Sequence, residues 1–104
     1  MLIVSTEQIE GKRIVETLGI VRGSTVRAKF FGKDIIAGLR NILGGELKEY
    51  TEMFDEAREQ AVGRMVKEAE EKGADAIVTV RFATAQVAQG SAELLAYGTA
   101  VRVE

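Results

Sequence analysis

The side chains best equipped for chemistry in this chain are carboxylates and guanidiniums, because it contains no histidine and no cysteine. That removes the usual proton shuttle, the thiolate nucleophile and the soft metal ligands together. Glu52, Asp55, Glu56 and Glu59 fall at i, i+3, i+4 and i+7. On a helix this spacing puts four carboxylates on one flank, where they could meet a hard cation. The same spacing is that of a solvated helix face, which is the stronger reading. Acid–base catalysis by a carboxylate pair would require one carboxyl raised by burial. Glu46, directly after Gly44-Gly45, is the candidate, although capping the first turn of a following helix explains it better.

Two further stretches invite a functional reading. The amides after Gly44-Gly45 could cradle a phosphate at a helix N-terminus. No Gly-Lys-Ser/Thr follows, so a corner between two helices is the better-supported use. Arg27 to Lys33 mixes basic residues with Phe30 and Phe31, as single-strand nucleic-acid binders do. In a chain of net charge -2 those aromatics read better as core or interface anchors. No triad is available without His, and no Ser sits in a nucleophile elbow.

The elements that must position these groups follow from periodicity. Ile3 to Thr6 reads as a short strand. Ile14 to Val21 is β-branched and kinked at Gly19, with Arg22-Gly23-Ser24 expected to break it before a further extended piece from Thr25 to Phe31. Ile35, Ile36, Leu39, Ile42 and Leu43 mark one face of a short helix that starts near Asp34 and stops at Gly44-Gly45. A second, long helix spans 47–72, with Tyr50, Phe54, Ala57, Ala61 and Met65 as its core stripe and Val62, Val66 and Ala69 widening it. Arg64–Glu68, Lys67–Glu71 and Glu68–Lys72 are expected to pair along its solvent side. Gly73 ends it. A strand follows over Ile77 to Phe82, extending towards Val87, and a last strand runs from Glu93 to Val103 with both faces apolar enough to be covered.

At 104 residues and 11.3 kDa, with 46% hydrophobic and 29% charged residues, the chain is expected to form a single globular domain over 1–104. No apolar run approaches the roughly 20 residues that cross a bilayer. The start Met1-Leu2-Ile3-Val4-Ser5-Thr6 lacks a basic region and a long apolar stretch, so a cytoplasmic address is expected. Residues 1–45 carry seven cations against four anions, and residues 46–72 five against nine. One half can therefore face the other, in the same or a neighbouring copy; this is preferred to a nucleic-acid role.

Glu10-Gly11-Lys12-Arg13-Ile14-Val15, Leu18-Gly19-Ile20-Val21-Arg22-Gly23, Asp34 to Arg40, Gly44-Gly45-Glu46-Leu47 with Tyr50, Ala57-Arg58, Gly73-Ala74-Asp75-Ala76-Ile77 and Tyr97 to Val101 together resemble the YbjQ family. Its members are small proteins under a heavy-metal-binding label. The resemblance covers nearly the whole chain. It implies an α+β fold: a dodecin-like β-α-β-β unit with an antiparallel sheet against one long helix, plus a short helix and short N-terminal strands. It also implies a ring-shaped pentamer, and no catalytic residue.

The leading functional reading is a non-enzymatic, homo-oligomeric protein that binds a small ligand or ion between subunits. Arg40, Glu46, Tyr50 and Arg58 are the candidate ligand-binding residues; no catalytic or metal-ligating residue is assigned, and the cofactor is unknown. The alternatives are a cofactor-free enzyme using Arg and carboxylates between subunits, and a purely structural ring. The expected partner is a second copy of the chain, with neither nucleic acid nor membrane.

Overall fold

The computed structural model describes residues 1–28 and 48–104, with side chains of the helix described from Thr51 onward. The elements are β1 (Leu2–Ile3), β2 (Ile14–Ala28), α1 (Lys48–Glu71), β3 (Ala76–Ala88) and β4 (Ser91–Val103). The short helix expected over 34–43, the Gly44-Gly45 corner and the end of the piece expected over 25–31 lie outside the described residues.

The four strands form one sheet in the order β1-β3-β4-β2. It is mixed rather than antiparallel: β3 and β2 each run antiparallel to β4, whereas β1 lies parallel to β3 through Leu2–Ala76 and Ile3–Ile77. The short N-terminal strand reaches β3 from outside the β-α-β-β unit, and nothing in a hairpin geometry forces its direction. The expected break at Arg22-Gly23-Ser24 does not occur. β2 pairs with β4 without interruption from Ile20–Thr99 to Ala28–Ser91. Gly23 is there because the helix lies on it. Gly19 does mark an irregularity, at φ 109 beside a register shift between Thr17 and Gly19.

The helix crosses β2 and β4 on its small residues. Ala57, Ala61, Met65 and Ala69 are fully buried, and the last three join Val21, Ile77, Val80, Ala96 and Ala100 in the main core. Phe54, expected as an anchor of this stripe, is only half-buried, and the Tyr50 side chain lies outside the described residues. The small side chains bring the backbones close enough for Thr25 Oγ1 to donate to the Ala57 carbonyl at 3.1 Å. Arg64, expected to pair with Glu68, instead donates from Nη1 to the Ser24 carbonyl at 2.6 Å. The helix ends in a paired cap: Gly73 N–H donates to Glu70 O at 3.0 Å and Ala74 N–H to Ala69 O at 3.1 Å, with Gly73 at φ 76.

A second, smaller core lies on the opposite face of the sheet. Ala76, Val78 and Val101 are buried there beneath Val4, Ile9, Ile14 and Val103. The final strand is therefore covered on both faces near Val101, as its composition predicts. Further along, Tyr97 is 38% exposed, so the second face is covered over only part of its length. The N-terminal segment that supplies this cover is tied along β3 by Val4 N–H to Ile77 O, Val80 N–H to Val4 O and Thr79 N–H to Thr6 O. No helix among the described residues is long and apolar enough to cross a membrane.

Candidate functional site

Beyond the core, β3 and β4 continue as a long hairpin whose helix-facing side carries Thr84 opposite Leu94 and Gln86 opposite Ala92. The N-terminal half of α1 places Phe54 and Arg58 above those rows, four residues apart and hence on one face of the helix. Together they line a cleft of about 320 Å³. Its floor and one wall are apolar, from Phe54, Ala92 and Leu94. Its polar groups are the Arg58 guanidinium, the Thr84 hydroxyl and the Gln86 amide.

Arg58 is oriented from its own helix: Nη2 donates to Asp55 Oδ1 at 2.5 Å. Guanidinium has five N–H donors, so the ion pair leaves others for a ligand. Arg27, beside Ala92 in the β2–β4 register, is turned along the helix by a 2.9 Å bond from Nη2 to Gln60 Oε1. The cleft thus combines apolar walls, a cation and two neutral hydrogen-bonding groups. That set is chemically suited to a small molecule with a carboxylate or similar anionic head and an apolar body.

A larger cleft, of about 890 Å³, is lined by the N-terminal segment, with Leu2 and Val4 to Glu10, and by Arg81 of β3. Here the guanidinium has a structural task. Arg81 Nη1 donates to Ser5 O at 2.7 Å and to Val80 O at 3.0 Å, holding the segment against the strand.

Of the sequence-derived candidates, Arg58 lies in the smaller cleft. Tyr50 lies on the first turns of α1, upstream of Phe54 and Arg58, with its side chain outside the described residues; Arg40 and Glu46 lie outside them altogether. Thr84, Gln86 and Leu94 were not anticipated. The signal available was the alternation Phe82, Thr84, Gln86, which places one face of a strand running past Phe82. The carboxylate flank of Glu52, Asp55, Glu56 and Glu59 is exposed, and Asp55 is engaged by Arg58. Among the described residues no three carboxylates come together as a metal-holding group.

Residues 1–104 match the YbjQ family model, which carries the description "Putative heavy-metal-binding". The chain is similar to a UPF0145 protein of Methanosarcina acetivorans, 58% identical over 103 residues covering 99% of this chain and 97% of the relative. It is also similar to UPF0145 proteins of Clostridioides difficile, 60% identical over 104 residues (100% and 93% covered), and Thermus thermophilus, 57% identical over 104 residues (100% and 91%). Among solved structures, a protein of unknown function in the DUF74 family from Pediococcus pentosaceus superposes with a TM-score of 0.66. It is 18% identical, with 100% of this chain and 98% of that one covered, so it shows the shared fold alone.

Proposed function

The chain belongs to the YbjQ family, and from that premise we propose that it is a non-enzymatic, homo-oligomeric protein that binds a small anionic organic ligand at the Arg58 cleft, close to a contact between subunits. The observation that carries this reading is the placement of Arg58 over an apolar floor made by Phe54 and Leu94. The order β2-α1-β3-β4 supports a dodecin-like subunit, and the family resemblance suggests a pentamer.

The family's heavy-metal description does not fit the donor set of this chain. Soft and borderline metals are held by thiolate and imidazole, and the chain has neither. Carboxylates alone suit hard cations, and the described residues offer no cluster of them. No step of the proposed function runs through a metal.

Native mass spectrometry of freshly purified protein tests the proposal, because it reports subunit number and retained ligand together. The expected result is one oligomeric species with an organic adduct that Arg58→Ala removes without changing subunit number. A bare monomer would overturn it.

A further inference from the structure

On the sheet face turned away from the helix, one cross-strand row joins Arg22, Tyr97 and Arg81. The register pairs Arg22 with Tyr97 across β2–β4 and Tyr97 with Arg81 across β3–β4. Their chain neighbours fix the direction. Val21, Ala96 and Val80 belong to the core beneath the helix, so residues 22, 97 and 81 project from the opposite face. Tyr97 therefore stands between two arginines, each one strand spacing away, about 4.8 Å.

These side chains do little for the fold. Tyr97 is 38% exposed, and both arginines are exposed. Among the described residues, neither Arg22 nor the Tyr97 hydroxyl has a hydrogen-bond or ion-pair partner. Arg81 is engaged through Nη1 alone, by Ser5 O and Val80 O. That contact fixes the guanidinium and leaves Nε and Nη2 to donate elsewhere. In the adjoining row Leu95 is flanked by Ser24 and Ala83, both small, so a ring laid on Tyr97 meets a low rim there.

We propose that this row binds a nucleoside monophosphate, with the base stacked on Tyr97 and the phosphate taken by the flanking guanidiniums. A phosphate monoester is close to dianionic at neutral pH, matching two cations, and guanidinium recognises its oxygens in a planar, bidentate way. An exposed phenol ring offers the π-face on which any base stacks. Carboxylates around the row restrict the ligand to one short anion. Glu93 lies on the same face, four residues from Tyr97 along β4. Glu7 and Glu10 belong to the segment that shares a cleft with Arg81. A nucleic-acid strand carrying phosphates past the row would run against these acids, whereas a free nucleotide ends before them. The site lies across the sheet from the Arg58 cleft, and neither reading depends on the other.

Titration calorimetry at low ionic strength tests this with AMP, GMP, CMP and UMP, and with adenosine, inorganic phosphate and a short oligoadenylate for comparison. At least one monophosphate is expected to saturate a single site per chain, with adenosine and inorganic phosphate at least about tenfold weaker than AMP. Arg22→Gln and Tyr97→Ser should each weaken the monophosphate by about tenfold or more, the scale of one lost phosphate contact or one lost stack. Tyr97→Phe, which keeps the ring, should retain most of the binding. Lys67→Gln removes the same charge from an exposed position on the helix and should change little. Arg22 has no partner to lose, so Arg22→Gln decides the matter even where Tyr97→Ser fails to fold. Saturation by none of the four monophosphates overturns the proposal, as does binding that Arg22→Gln leaves intact or that Lys67→Gln weakens equally. Inorganic phosphate binding as tightly as AMP removes the role of Tyr97 and overturns it too. Oligoadenylate binding more tightly than AMP makes the face a platform for a strand and overturns the assignment to a free nucleotide.

Discussion

Gly23 of the sheet and Ala61 of the helix meet backbone to backbone. A Cβ added to Gly23 would stand 2.2 Å from the Ala61 carbonyl oxygen and 2.4 Å from the Met65 amide nitrogen. Neither atom belongs to a flexible side chain, so an alanine there must push the whole helix away. That displacement would stretch the buried Thr25–Ala57 bond and loosen Met65, which is fully buried. Gly23→Ala is therefore expected to cost at least about 3 kcal/mol, the upper part of the overpacking range. Urea denaturation checks it, and a loss under about 1 kcal/mol would show that the helix rides higher than this.

Gly63 is the control for that argument. It sits mid-helix, exposed, with nothing within 4 Å of an added Cβ. Gly63→Ala should stabilise by about 0.5–1 kcal/mol, because it removes only the backbone freedom of the unfolded chain. The opposite signs of two Gly→Ala changes, read in the same denaturant series, separate close packing from propensity.

Core substitutions should rank by burial rather than by side-chain size. Met65 is 0% exposed, so Met65→Ala is expected to cost about 2–5 kcal/mol. Phe54 is half-buried at the mouth of the Arg58 cleft, and Phe54→Ala should cost less, about 1–2 kcal/mol, since much of the ring is already wet. Melts of the two variants at equal protein concentration decide the order. A larger loss for Phe54→Ala would place that ring in a core it does not share with Met65.

Much of this fold was legible in the sequence. The long helix, its cap at Gly73 and the two faces of the last strand follow from apolar period and glycine placement, because those signals are local. Arg22-Gly23-Ser24 misleads for the opposite reason. Glycine in a strand reads as a break, but here its missing Cβ serves a contact with residues 61 and 65, far along the chain. The parallel pairing of Leu2 with Ala76 is equally invisible, since two short segments so distant carry no shared period. The Arg58 cleft was half legible. Arg58 could be singled out, whereas Thr84, Gln86 and Leu94 join it only through the β3–β4 register.

Thr79 offers a test of strain. It is β-branched yet holds φ 53, at the bulge where β3 gains one residue on β4 between Val78 and Arg81. The left-handed region costs a side chain with Cβ roughly 1–2 kcal/mol. The bond from Thr79 N–H to Thr6 O, at 2.9 Å, holds it there. Thr79→Gly should accordingly be neutral or stabilising by up to about 1 kcal/mol, the relief of strain offsetting glycine's entropy. Thr99→Gly, at a regular half-buried position of β4, should destabilise by about 1 kcal/mol. Equal losses at both positions would remove the strain argument.

Metal binding is expected to be weak and without fixed stoichiometry. A tight zinc or copper site needs several converging soft donors, and each missing ligand must be replaced by an oxygen that these ions hold less strongly. This chain has no thiolate or imidazole anywhere in its 104 residues. The acidic residues of α1 do not compensate: Asp55 is already paired with Arg58, and Glu52, Glu56 and Glu59 stand exposed on the helix flank, where water competes for any cation. Screening by salt weakens such surface sites further. Titration calorimetry with zinc and with copper at neutral pH should therefore give shallow, non-saturating heats that fade as ionic strength rises. Saturable submicromolar binding at one ion per subunit would overturn this.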